Sequence, residues 1–141
     1  VNYPASTDYL ASSAAGSGDA CTHVENLVAA CPNTTVVLGG YSQGAAVTEL
    51  ATAAMPPRVA DHVAAVALFG RPASAYADSL VGGIALPTIA APYAAKTVDL
   101  CLPDDPICSP GANMMAHVSY VPAGMANQAA TFAADRIAVQ P

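Results

Sequence analysis

The spacing of apolar positions changes character several times along the chain. Residues 5–18, ASTDYLASSAAGSG, are small and polar and read as a loop. DACTHVENLVAAC follows and reads as a helix, with Ser17 or Asp19 as N-cap and an end before Pro32. TTVVLGG is β-branched and continuously apolar, the pattern of a strand buried on both faces. QGAAVTELATAAM returns to helical spacing and stops at Pro56-Pro57. HVAAVALFG is a second buried strand closed by Gly70, and KTVDLCL a third. Between them, residues 71–94 form an irregular Pro- and Gly-rich segment. Residues 102–122 are loop-rich, and AGMANQAATFAADRIA is a closing amphipathic helix. The first residues, VNYP, read as the last residues of a strand. No repeat or low-complexity linker divides the chain, so residues 1–141 are expected to form one domain.

Helices alternating with continuously apolar strands predict an α/β layered fold with a parallel sheet. Sites in such sheets form at the carboxyl ends of the strands. One end carries Gly40-Tyr41-Ser42-Gln43-Gly44, a G-x-S-x-G pattern between a predicted strand and a predicted helix. That setting marks Ser42 as a nucleophile on a strained turn, where close neighbours must be glycine. The competing reading is a structural glycine-rich turn. The backbone N–H of Gln43, at the helix start, is a candidate oxyanion donor. A serine hydroxyl also needs a base, and an acid to orient that base.

The chain has three histidines. His23 lies inside a predicted helix and reads as a solvated face. His62 opens a strand, at the end away from the site. His117 follows the last strand and fits the base. Asp99, Asp104 and Asp105 are candidates for the acid. Asp99 lies within a strand, while Asp104 and Asp105 sit between Cys101 and Cys108, in a short loop that a disulfide could close. Spacing does not choose among them. No phosphate-cradling G-x-x-x-x-G-K-[ST] occurs, and nothing suggests a metal site.

Composition narrows the function classes. Hydrophobic residues make up 54% of the chain and charged residues only 10%. No run of 18 apolar residues occurs, so no membrane-spanning helix is expected. The net charge is −6, and Arg58, Arg71, Lys96 and Arg136 are the only cations, which argues against nucleic acid as a partner. The weakly charged surface fits an uncharged or lipid-like substrate. Cys21 and Cys31 are held roughly 15 Å apart by an intact helix, too far for a mutual disulfide. A Cys101–Cys108 disulfide implies an oxidising compartment, hence secretion.

These residues resemble the cutinase family, in particular its actinobacterial branch. The resemblance rests on CPNTTVVLGGYSQGA, on VALFG followed by Pro72, on CLPDDPIC, and on AHVSYV leading into the final helix. It covers nearly the whole chain. It implies an α/β-hydrolase fold, a three-layer sandwich around a parallel sheet, and a secreted, monomeric serine esterase without cofactor or metal. Its substrates would be cutin-like polyesters, short- to medium-chain esters or, in a phospholipase or lipase variant, lipids. A non-catalytic binding protein or inactive fragment of the same fold is the other alternative. The resemblance assigns the nucleophile to Ser42, the acid to Asp105, the base to His117 and an oxyanion donor to the Gln43 N–H. It suggests substrate contacts at Tyr41, Met114 and Met115. It also implies that the family's first half, with an early strand, a cysteine partner for Cys31 and a second oxyanion donor, lies upstream of Val1. Two departures stand out: Arg71, where the family more often has an acidic or small residue, and the unusual Cys21.

Overall fold

The structure is a computed structural model and describes residues 1–139. Its first element is a helix, α1, over Tyr9–Ala30. β1 (Val36–Tyr41) runs through a one-residue elbow into α2 (Gln43–Ala54). A short α3 (Pro57–Ala60) leads to β2 (Val63–Phe69). Two short helices, α4 (Ala75–Leu80) and α5 (Ala91–Ala94), precede β3 (Thr97–Leu100). A single turn, α6 (Met114–His117), and a longer α7 (Met125–Ala138) follow.

The three strands lie in the order β1-β2-β3, and both pairings are parallel. β2 is therefore central, and Val63–Leu68 are buried without interruption. Successive side chains of a strand point to opposite faces. Val66 and Leu68 accordingly join one core cluster with Val28 of α1 and Ala45 and Ala51 of α2. Ala67 joins a second with Leu100, Tyr120 and Ala129 of α7. Helices thus cover both faces of a parallel sheet, and all three strands point the same end toward the site.

Four expectations change. α1 begins eight residues or more before the expected caps, because Asp8 serves as N-cap and accepts the Ala11 N–H. The small residues that suggested a loop are a packing face: Ser12, Ser13, Gly16 and Ser17 are all buried. A Cβ on Gly16 would meet Val47 Cγ2 at 2.8 Å, so α1 and α2 approach closely there. Second, β1 is not buried on both faces; Val37 and Tyr41 are exposed, and β1 is an edge of the described sheet. Third, the segment 71–94 contains α4 and α5. Fourth, residues 1–4 form no strand among the described residues.

No described helix is long and apolar enough to cross a membrane. Cys101 and Cys108 form a disulfide with Cα atoms 5.9 Å apart. Cys21 and Cys31 are free, separated along α1 as the helix requires.

Candidate active site

Ser42 is the single residue between β1 and α2, at φ 56° and ψ −122°. For a residue with a Cβ this conformation is strained, by about 1–3 kcal/mol. The fold holds it by tying the Ser42 N–H to the Phe69 carbonyl at the end of β2, 2.9 Å away. The turn is tight enough that a Cβ on Gly40 would sit 2.2 Å from the Gly44 carbonyl oxygen. Gly44 itself is not forced: a Cβ there would meet only the Tyr3 hydroxyl, at 3.7 Å. The local constraint falls on the glycine before the serine.

His117 is the last residue of α6, which starts where the Asn113 side chain accepts the Met115 N–H. Its Nε2 lies 2.9 Å from Ser42 Oγ, and its Nδ1 lies 2.8 Å from Asp105 Oδ2. Asp105 is fully buried and His117 is 6% exposed. Burial pushes the Asp105 carboxyl up, but hydrogen bonds from Tyr120, His117 and the Ile107 N–H outweigh it and hold the group below its ordinary value. An ionised carboxylate only accepts, so Nδ1 carries the proton and Nε2 is left to accept from Ser42. A neutral imidazole in that tautomer is poised to take the serine proton.

The disulfide loop turns its two aspartates in different directions. Asp104 adopts φ 66° and is exposed, with its carbonyl accepting the Asn113 N–H. The chain turns there and sends the Asp105 side chain inward, where Oδ1 accepts the Ile107 N–H at 2.9 Å. Asp99 is elsewhere, bonded to Arg71 Nε at 2.6 Å. His23 is exposed beside Asp19, and His62 sits at the start of β2 against the Thr34 carbonyl.

Gln43 opens α2, so its N–H has no acceptor within the helix. Its side chain is clamped: Ser12 Oγ donates to Oε1 at 2.9 Å, and Nε2 donates to the Ser6 carbonyl at 3.0 Å. The segment read as a loop therefore orients the first residue of α2. Tyr41 packs its ring 4.9 Å from the His117 ring and donates its hydroxyl to the His117 carbonyl at 2.7 Å. A cleft of about 160 Å³ beside Ser42 and Gln43 is walled by Tyr9, Pro72, Leu80 and Ile107. A larger apolar pocket of about 460 Å³ lies against His117, between Tyr41, Phe69 and Val121. Met114 and Met115 are exposed and line neither.

Sequence reasoning missed Tyr120 and Gly70. Tyr120 lies three residues after His117 and donates its hydroxyl to Asp105 Oδ2 at 2.6 Å. Gly70, at φ 52°, lies where a Cβ would press within 3.0 Å of Tyr120, Asp105 and His117. The available signal in the sequence is a glycine ending a strand, which by itself marks only a stop.

A sequence model of the family described as Cutinase matches residues 1–137. Carboxylesterase Culp1 of Mycobacterium tuberculosis is 64% identical over 137 residues, which are 97% of this chain and 63% of that protein. Phospholipase Culp4 of the same organism is 46% identical, over 97% of this chain and 62% of its own length. The chain thus spans less than two thirds of either relative. Among solved structures, a Trichoderma reesei cutinase in complex with a phosphonate inhibitor superimposes with a TM-score of 0.73 at 33% identity, over 97% of this chain and 57% of that one. The parallel sheet flanked by helices is that of the α/β-hydrolases. A match this extended, carried through the elbow, the disulfide loop and the histidine turn, means that this chain belongs to the cutinase family.

Proposed function

We propose that the chain carries the machinery of a serine esterase acting on uncharged carboxylic esters. One observation carries the reading: Ser42 Oγ, His117 and Asp105 are linked in series at 2.9 and 2.8 Å. His117 Nε2 takes the Ser42 proton as Oγ attacks the ester carbonyl. Asp105 keeps the imidazole in its tautomer and stabilises the imidazolium. The developing oxyanion meets the Gln43 N–H at the start of α2, a type of donor whose loss costs about 10²–10³ in rate. The imidazolium then gives its proton to the leaving alcohol, and water, activated by the same base, releases the acid.

The apolar cleft beside Ser42 suits an ester without charge near the carbonyl. Short- and medium-chain esters and cutin-like polyesters fit that description. The 46% identity to a protein named a phospholipase supports a second reading, a lipid-directed member. Comparing p-nitrophenyl butyrate with a phosphatidylcholine on the complete protein separates the two. The Cys101–Cys108 disulfide supports secretion into an oxidising compartment.

In the complete protein, Ser42→Ala is expected to reduce p-nitrophenyl butyrate turnover to background. Retained turnover would sink the assignment of Ser42.

A further inference from the structure

The acid of this site has more donors than its role in orienting histidine requires. Asp105 Oδ1 accepts the Ile107 N–H, while Oδ2 accepts from both His117 Nδ1 and the Tyr120 hydroxyl. The Tyr120 hydroxyl is also 3.2 Å from the Leu102 N–H, which can only donate. The phenol proton therefore points to Asp105. Cys108 Sγ lies 3.4 Å from the same hydroxyl and, being in a disulfide, brings no proton.

We propose that Tyr120 is a positioning residue of this site, whose hydroxyl competes with His117 for Asp105 Oδ2 and so sets the pH at which His117 takes up a proton. The inference rests on the esterase reading for its meaning but not for its test. An imidazolium is stabilised by the electron density on the oxygen that faces it. A phenol donating to that same oxygen at 2.6 Å draws part of this density away. The same bond helps to keep the fully buried Asp105 carboxylate ionised. Tyr120 therefore holds the acid charged and limits how basic it makes the histidine.

The arrangement is held from several elements. Tyr120 is 5% exposed, packed edge-on to Phe69 of β2 and to Tyr41 of β1. Gly70 leaves the space in which the Tyr120 hydroxyl, the Asp105 carboxylate and the His117 ring converge. Among the described residues, the titratable side chains that face the His117–Asp105 pair are Tyr120 and, from β1, Tyr41, whose hydroxyl donates to the His117 carbonyl. The Tyr41 hydroxyl proton is taken by the His117 carbonyl, so Tyr41 does not duplicate Tyr120.

The test is an NMR titration of the His117 ring in the complete protein, which needs no turnover. Tyr120→Phe removes one hydroxyl and keeps the ring that packs against Phe69. The His117 midpoint is expected to move up by about 0.5 pH unit, a three-fold gain in proton affinity. The acid limb of the pH–rate profile moves with it. A fluorotyrosine placed at position 120 alone, a stronger donor of the same shape, is expected to move the midpoint down, and it carries the test if Tyr120→Phe does not fold. An unchanged midpoint in either protein, or a shift in the opposite direction, would overturn the assignment and leave Tyr120 a packing residue. Failure of the esterase reading would show separately, as wild-type protein that does not hydrolyse esters but still gives a titration.

Discussion

Ser42 and Gly40 express one constraint from opposite sides. The turn that lifts the hydroxyl out of the sheet brings the strand backbone against the first turn of α2. A methyl on Gly40 would lie 2.2 Å from the Gly44 carbonyl oxygen, which is backbone and cannot swing away. Gly40→Ala is therefore expected to cost about 3 kcal/mol in a urea titration and to abolish hydrolysis, while Gly44→Ala stays close to wild type. Equal effects of the two substitutions would contradict this geometry. The elbow was legible in the sequence because its requirements are local: a strand, a serine, a helix start and a small residue. The choice between Asp104 and Asp105 was not legible from spacing, because adjacent residues differ only in the direction the backbone gives them. Asp104 adopts a positive φ, and it is the Asp105 carboxylate that meets His117. Tyr120 was hidden for another reason. Its partner is 15 residues away in sequence, and only the folded loop brings the two together.

Among the elements, the segment from Cys101 to His117 does the most with the least regular structure. Its anchors are the disulfide, the Asp105 carbonyl receiving Ser109 Oγ, and the Asn113 cap of α6. Replacing both loop cysteines by serine is expected to lower stability by about 2 kcal/mol, as the entropy of a short closed loop is returned to the unfolded chain. Thermal melts check the stability. Hydrolysis at a temperature where the variant remains folded is expected to fall several-fold, because the loop then holds Asp105 less firmly. The strands and the two long helices after the elbow were legible from apolar runs and their proline and glycine stops. α1 was half-missed because alanine, serine and glycine serve equally in loops and in close helix packing. Burial of Ser12, Ser13 and Gly16 against α2 decides for the helix. The apolar run of β1 suggests burial on both faces, yet Val37 and Tyr41 are exposed, since such a run reflects composition and not the number of neighbouring strands.

At the scale of the whole molecule, a chain with a net charge of −6 and four cations has few partners for its carboxylates. Arg71, the departure noted in the sequence, is shared between Asp99 at 2.6 Å and the buried Glu49 at 3.7 Å. Glu49 is 1% exposed, and its Oε2 has no hydrogen-bond partner among the described residues. Burial raises its pKa from 4.5 to about 7; Arg71 opposes the rise and Asp99 adds to it. The folded state then binds more protons than the unfolded one between about pH 4.5 and 7, so this group's contribution to stability falls as pH rises through that window. Asp105 acts in the other direction, since its lowered value makes stability fall as pH drops through the acid range. Glu49→Gln is expected to flatten the decline in melting temperature between pH 5 and 8. A decline as steep as in the wild type would show that Glu49 is not its source. Whether Ser42 is a nucleophile can be tested by covalent capture. The complete protein is treated with a fluorophosphonate probe and the modified peptide is identified by mass spectrometry. Stoichiometric labelling of Ser42, lost when the protein is denatured beforehand, is the expected result. A folded protein that takes up no probe, or takes it up at another residue, would contradict it.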